Sequence, residues 1–233
     1  MDREQIIEHY KRLVEYLGVV CGPAYEFILH DVSQPDHSVV AIANSEISGR
    51  KVGAPLTEYS LELIKAKQYL THKYVANYDG ITETGDILRS STFFIKDENE
   101  ELIALLCINF NVSELNAVCR QIARIGNVPI PPKCSKQCFR YEEDISEPRE
   151  SFSQDLPNLI RKILDAVLND KKDHSQFFTT DEKMALLEIL EEKGIFQLKG
   201  SVHEVAKSLH CSVPTIYRYL KLIAERKHGA EGR

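Results

Sequence analysis

Apolar positions recur with a helical period near the start of the chain and alternate as in β-strands after it. Residues 4–17 bring apolar side chains to one face, which predicts an amphipathic helix that is ended by Gly18 and Gly22-Pro23. The apolar runs 26–32 and 38–43 flank the turn-forming Gln34-Pro35-Asp36, which predicts a β-hairpin. The chain is therefore expected to open with one helix followed by two antiparallel strands.

A short helix, a second hairpin and a further helix are predicted next. Thr57 suits the N-cap of a helix over residues 59–67. The strand-like runs 87–96 and 101–110 are joined by a charged turn. Helices and hairpins in this order predict an α+β domain around an antiparallel sheet, which we assign to residues 1–126.

Residues 127–178 are predicted to connect this domain to a C-terminal one. Four of the nine prolines lie between residues 127 and 149, which indicates an irregular segment. A helix is expected to begin near Asp155, with Pro157 in its first turn. Its apolar stripe comprises Leu156, Leu159, Ile160, Ile163, Leu164, Val167 and Leu168. Such a stripe must be buried, either within the chain or against a second copy of it.

The C-terminal segment, residues 179–233, carries the pattern of a helix-turn-helix. Ala206 is the small residue that lets two helices cross closely, and Cys211 is the small apolar residue in the turn. Ser212 suits the N-cap of the second helix, and Pro214 suits its first turn. His210 stands where the turn often has glycine. The inward positions are Val205, Leu209, Ile216, Tyr219 and Leu220.

The outward face of the second helix is the predicted DNA reader, since the N-terminal residues of a recognition helix meet base edges in the major groove. Arg218 is the best candidate for a base contact, because arginine can bind guanine through two hydrogen bonds. Other candidates on this face are Ser212, Pro214, Thr215 and Tyr217. Candidates for phosphate contacts are Lys207, Lys221, Arg226 and Lys227. Any two amphipathic helices with a polar turn share part of this pattern.

Charge is distributed unevenly along the chain. The net charge of the protein is −6, but residues 193–233 hold eight Lys/Arg and three Glu and so carry +5, which leaves −11 for the remainder. An acidic body with a basic terminal domain is expected when only that domain touches phosphate. Composition is ordinary for a globular protein, with 43% hydrophobic and 27% charged residues. No apolar run is long enough for a membrane span, and the polar first ten residues favour a cytoplasmic protein.

Motifs of known enzyme and metal sites are absent from the sequence. There is no phosphate loop, GxGxxG, HExxH or GxSxG pattern, so we expect neither an enzyme nor a bound cofactor. The six cysteines are expected to be reduced thiols. Cys134 and Cys138 form the one close pair, which leaves a thiol redox sensor as an alternative. Metal sites usually have two spaced pairs or a set of Cys and His, so one pair does not predict a metal site.

Three segments, together with the helix-turn-helix, carry a resemblance to a known family. Residues 44–57 (NSEISGRKVGAPLT), 90–97 (SSTFFIKD) and 105–110 (LLCINF) resemble YheO-like regulators. Proteins of this family pair an N-terminal PAS-like domain with a C-terminal helix-turn-helix. The resemblance implies a PAS-like sensor, a homodimer or higher oligomer, and an operator as target.

A PAS-like domain would bind a small ligand between its sheet and the adjacent helices, where polar groups converge in an apolar setting. Asn109 stands in an otherwise apolar strand and needs a partner, either a ligand or the backbone. Arg50 would suit an anionic effector, although a solvated loop arginine is an equal alternative. The remaining candidates are His30, Asn44, Tyr78, Thr82, Arg89 and Ser91.

The sequence therefore predicts a dimeric, DNA-binding transcriptional regulator that senses a small molecule. The effector would favour one arrangement of the two DNA-reading domains. Two alternatives remain open, a PAS-like sensor that acts through a protein partner and the thiol redox sensor.

Overall fold

The computed structural model describes residues 2–127, 149–153, 155–168 and 178–231. The N-terminal part contains helices α1 (Arg3–Cys21), α2 (Glu58–Lys65) and α3 (Ser113–Ile125). Its strands are β1 (Tyr25–Asp31), β2 (Val39–Ala43), β3 (Tyr74–Ile81), β4 (Ile87–Lys96), β5 (Leu102–Asn111) and β6 (Arg149–Ser151). The C-terminal part contains helices α4 (Leu156–Leu168), α5 (Thr180–Glu192), α6 (Ser201–Ser208) and α7 (Val213–Glu231). The predicted α+β domain followed by an all-helical one is confirmed.

A single sheet organises the N-terminal domain, with the strand order β2-β1-β5-β4-β3-β6. The first five strands pair antiparallel, and the short β6 joins the edge of β3 in parallel. Both predicted hairpins are present, but the prediction omitted β3 and β6. Asn77 has a left-handed φ of 63°, and the register shifts beside it, so β3 lacks a regular alternation of apolar and polar residues.

Helix α1 continues through Gly18, the first of the two predicted end signals, and stops at Gly22, the second. A Cβ atom at Gly18 would clash with the Cβ of Ala43 on β2. Glycine at this position therefore serves the close approach of α1 to the sheet. Gly22, with a φ of 79° and a ψ of −178°, takes a backbone conformation that only glycine adopts readily, and the helix ends there.

Most of the described part of the α4 stripe is buried within the chain, whereas Val167 near its end is 38% exposed. Leu159, Ile160 and Ile163 are almost completely shielded from solvent, and α4 contacts α5 and α6. Of the two predicted outcomes for this stripe, packing inside the chain is the one observed. In the described part of the chain, no helix combines the length and the apolarity that a bilayer crossing requires.

One continuous apolar core joins the sheet domain to the helical domain. The two also meet through polar contacts at the end of α5. Lys193 forms ion pairs with Glu58 and Glu62 of α2, the second over 3.2 Å, and Lys65 of α2 donates a hydrogen bond to the Glu191 carbonyl. Helix α2 thus docks the sheet domain on the helical domain.

Candidate DNA interface and ligand site

Helices α6 and α7 form the predicted helix-turn-helix. Ala206 is buried where the two helices cross, and Val205 and Ile216 are fully buried in the core between them. His210 adopts a φ of 50° in the turn, the left-handed conformation that histidine tolerates better than most residues. The Cys211 amide donates to the Ala206 carbonyl over 2.8 Å, which closes the end of α6.

Polar side chains occupy the outward face at the start of α7. The Ser212 hydroxyl accepts a hydrogen bond from the Thr215 amide over 3.3 Å, as an N-cap does. Arg218 is exposed, and its guanidinium carbon lies 5.3 Å from the ring centroid of Tyr219. The other exposed candidates are Lys207, Ser212, Pro214, Tyr217, Lys221 and Arg226, while Thr215 is half-buried. The N–H groups of the first turn and these side chains together offer hydrogen-bond donors to a phosphate backbone and to base edges.

The predicted ligand-binding residues separate into two groups. Asn44 lies where α1 ends, and its side-chain amide donates to the carbonyl oxygens of Gly22 and Tyr25 over 3.0 and 2.7 Å. Ser91 accepts a hydrogen bond from the Asn77 amide over 3.1 Å, at the irregularity in β3. Both side chains therefore form hydrogen bonds with the backbone of the domain itself.

Thr82 and Arg89 also have local partners. The Thr82 hydroxyl accepts from the Asp86 amide over 2.9 Å, in the turn before β4. Arg89 pairs with Asp79 over 3.3 Å on the neighbouring strand. Both contacts hold the β3–β4 hairpin together.

Arg50, Tyr78 and Asn109 are brought together on the buried inner face of the sheet. Strand register places a polar row across this face, with Glu26 opposite Asn109, Asn109 opposite Ser90, and Ser90 opposite Tyr78. At the sheet edge Glu150 of β6 lies opposite Gly80 of β3. We call the buried residues Glu26, Arg50, Tyr59, Tyr78, Ser90, Asn109 and Glu150 the polar cluster.

Glu26 is the best-satisfied member of the polar cluster. One carboxylate oxygen accepts from the Ser48 hydroxyl over 2.7 Å, and the other accepts from the Asn109 amide over 2.7 Å. Burial raises the pKa of Glu26, although these bonds and the charge of Arg50 partly oppose the rise. The carbonyl oxygen of the Asn109 side chain has no partner.

Arg50 is 1% exposed, and its guanidinium is only partly bonded. Its Nη2 atom donates to the Pro55 carbonyl, whereas Nε and Nη1 have no hydrogen-bond partner. Burial lowers the pKa of Arg50, while the nearby Glu150, Cys107 and Glu26 act to raise it. A buried cation with free donors is costly unless another group completes its contacts.

Glu150 brings a second buried carboxylate to the polar cluster. It accepts a hydrogen bond from the Thr57 hydroxyl over 2.5 Å, and its other oxygen, Oε2, has no partner. Burial raises the pKa of Glu150, and the hydrogen bond from Thr57, the charge of Arg50 and the nearby Tyr78 hydroxyl oppose the rise. The Tyr78 hydroxyl lies near this carboxylate but bonds to Thr92 over 2.8 Å.

Unpaired polar atoms are concentrated in this part of the fold. Besides those of Arg50, Asn109 and Glu150, the hydroxyls of Tyr59 and Ser90 lack partners. Buried polar groups in folded proteins are normally bonded, so such a concentration calls for bound water or a ligand. His30 borders the polar cluster and bonds to Ser38 over 2.9 Å. Burial and the charge of Arg50 keep the pKa of His30 well below its usual value, so its ring is neutral at pH 7.

Sequence reasoning found Arg50, Tyr78 and Asn109 but missed Glu26 and Glu150. Glu26 precedes the apolar run of β1, and a charged residue at the start of a buried strand was the available signal. Glu150 lies beyond the predicted sensor domain, so no local pattern linked it to this site. Among the residues that the structure describes, no group of His, Cys, Asp and Glu side chains could hold a metal ion. Cys134 and Cys138 lie outside the described residues.

Two family models match the chain, and together they cover most of it. The model of the YheO-like PAS domain matches residues 1–127, and a model of a helix-turn-helix (HTH) domain matches residues 159–221, which include most of α4. The predicted family resemblance is thereby confirmed.

Relatives match this chain over nearly its whole length. An uncharacterised protein of Haemophilus influenzae is 25% identical over 97% of this chain and 95% of that protein. Protein YheO of Escherichia coli is 24% identical over 93% of this chain and 84% of that protein. The transcriptional regulator DauR of Pseudomonas aeruginosa is 24% identical over 94% of this chain and 95% of that protein. The chain belongs to the YheO-like PAS family and carries a helix-turn-helix domain, the domain pair of a DNA-binding transcriptional regulator.

Proposed function

We propose that this protein binds an operator through α7 and that a small-molecule effector in the sheet domain controls the binding. The observation that carries the proposal is the contrast between the two sides of α7. Ile216 and Ile223 are buried in the core, whereas Tyr217 and Arg218 face solvent beside the capped N-terminus. This is the arrangement by which a recognition helix enters a major groove.

The first experiment is a mobility shift of the purified protein on the DNA upstream of its own operon, at two salt concentrations. Phosphate contacts predict that the logarithm of affinity falls linearly with the logarithm of salt concentration. Arg218→Ala is expected to lose about 1–3 kcal/mol of operator affinity together with selectivity for one base pair. Unchanged binding by this variant would remove Arg218 as the base reader.

Arg12→Ala is the matched control for the charge removed. Its side chain is 77% exposed on α1 of the sheet domain, where its contact is a 3.6 Å ion pair with Glu8. The variant should bind operator as the wild type does. Binding that does not depend on salt, or no binding at all, would favour the alternative in which the helical domain contacts a protein partner.

Two copies of α7 would read two half-sites, so we also propose a homodimer, with α3 as its interface. The exposed apolar residues of α3 are Leu115, Val118, Ile122 and Ile125. Their spacing of three, four and three residues is that of coiled-coil core positions, which a second copy of the same helix complements. This proposal moves the dimer contact from α4, where the sequence allowed it, to α3.

Sedimentation equilibrium of the full-length protein tests the α3 interface. Ile122→Glu places a charge in the apolar stripe and should shift the wild-type dimer to monomer. Asn116→Glu adds the same charge to another face of α3 and should leave the dimer intact. Equal effects of the two substitutions, or a dimer that resists Ile122→Glu, would place the interface elsewhere.

A further inference from the structure

Arg50 is buried in the polar cluster with Glu26 and Glu150, yet two of its three guanidinium nitrogens have no partner. Both oxygens of Glu26 accept hydrogen bonds, from Ser48 and Asn109. Glu150 accepts one from Thr57, and its Oε2 atom is unpaired. The site therefore holds one buried cation and two carboxylates, and the hydrogen bonding is incomplete for Arg50 and for Glu150.

The strand that carries Glu150 is the shortest of the sheet. β6 has three residues and, within the described part of the chain, pairs only with Asp79, Gly80 and Ile81 of β3. A short edge strand detaches at a small part of the cost of unfolding the domain. Detachment would open the polar cluster beside Arg50, because Glu150 and Phe152 cover it from this edge.

β6 is also linked to the DNA-reading part of the molecule. The Phe152 carbonyl accepts a hydrogen bond from Lys162 of α4 over 2.7 Å. The stripe of α4 then packs on α5 and α6, and α6 is the first helix of the helix-turn-helix. Movement of β6 would therefore act on the helical domain through α4.

We propose that Arg50 binds a small monocarboxylate effector, which replaces the Glu150 carboxylate, releases β6 and so alters DNA binding. This inference rests on the proposed function, because it names the effector class and the route of its signal. The effector carboxylate would accept hydrogen bonds from the unpaired Nε and Nη1 atoms of Arg50 and would take over the charge balance that Glu150 now provides, which requires no covalent change. The Asn109 carbonyl oxygen is placed to accept a hydrogen bond from a donor group on the same ligand.

The surroundings favour a singly charged carboxylate over phosphate. Glu26 remains in the site with its hydrogen bonds intact and keeps its negative charge. In a buried setting it would repel a doubly charged phosphate more strongly than a singly charged carboxylate. A carboxylate also reproduces the shape and charge of the Glu150 group that it displaces. Inorganic phosphate is therefore the comparison anion in the test.

The test is calorimetric titration of the full-length protein with sodium acetate, with sodium chloride at equal ionic strength as background. Glu150→Gln keeps the shape of the side chain and removes the competing charge, so it should bind acetate roughly tenfold more tightly than the wild type. Glu101→Gln, at an exposed site in the β4–β5 turn, should match the wild type. Arg50→Gln should lose acetate binding, and if that variant does not fold, the Glu150→Gln comparison still decides.

Equal acetate affinity in wild type and Glu150→Gln would overturn the inference, as would tighter binding of inorganic phosphate than of acetate. The mobility shift then separates this inference from the proposed function. Acetate should change the operator affinity of the wild type severalfold, and Glu150→Gln without acetate should change it in the same direction. Tightened acetate binding in a protein that binds no DNA would overturn the regulator function and leave the carboxylate site standing.

Discussion

The helix-turn-helix core and the inner face of the sheet are both buried, but they are built from opposite kinds of side chain. In the described helical domain, Ser201 is the one polar residue among buried ones such as Leu187, Val205 and Ile216. The inner face of the sheet buries Glu26, Arg50 and other polar groups, several of them without partners. Apolar burial stabilises the first region, whereas the second gives up stability to keep polar groups in place. The apolar region supports the fold, and the polar region is where we propose that the effector binds.

The largest effect is expected in the apolar core. Ile216→Ala removes a side chain that is 0% exposed between α6 and α7, so it should lower the free energy of unfolding by about 2–5 kcal/mol. Leu222→Ala, on the same helix at 41% exposure, should cost much less. Urea unfolding of both variants measures the difference. Similar losses would mean that α7 does not bury the face described here.

A smaller effect is expected where β6 covers the polar cluster. A Cβ atom at Gly80 would lie 2.7 Å from the Phe152 ring and 2.8 Å from the Ser90 hydroxyl, so Gly80→Ala should push β6 away. We expect a loss of about 1–3 kcal/mol of stability, as in other overpacked cores, together with altered operator affinity.

Gly18→Ala is the matched control for that substitution. It also overpacks the sheet domain, against Ala43, but at a helix that has no part in β6. Its stability should fall while its operator affinity stays at the wild-type value. Parallel changes in DNA binding by the two variants would show that general loosening of the sheet domain, not β6, alters operator binding.

The smallest effect concerns pH. The pKa of buried His30 is held well below the usual value of 6.5, so the unfolded chain gains a proton there before the folded protein does. Its contribution to stability is complete above pH 6.5 and is lost as the pH falls below it, by at most about 1.4 kcal/mol per pH unit. Glu26 and Glu150, whose pKa values are raised, act in the opposite sense as the pH falls.

Comparing how stability depends on pH in the wild type and in a His30 variant isolates the contribution of this histidine. Between pH 6.5 and 5.5 the free energy of unfolding, measured by urea titration, should fall less in His30→Gln than in the wild type. His203→Gln, at an exposed position of α6, should keep the wild-type profile. If the stability difference between wild type and His30→Gln does not change with pH, the folded protein protonates this ring as readily as the unfolded chain does.

The two regions also differ in how far the sequence predicted them. The helix-turn-helix lies within about twenty consecutive residues, and its cap, crossing residue and turn are local signals. The polar cluster joins Glu26, Arg50 and Glu150, which no periodic pattern relates. Arg50 and Asn109 were named from the sequence because an amide in an apolar strand needs a hydrogen-bond partner and an arginine suits an anionic ligand. β3 was missed because Asn77 interrupts its alternation.

The contacts of α2 with α5 limit how this protein can be recombined. Lys193 forms ion pairs with Glu58 and Glu62, and Gly194 lies next to the Leu61 side chain. Part of the surface of the helical domain therefore fits this particular sheet domain. A chimera that joins this helix-turn-helix to another sensor would expose the apolar surface that α2 now covers. A chimera that keeps the DNA-binding surface intact must therefore contain α2 and α4 together with the helix-turn-helix.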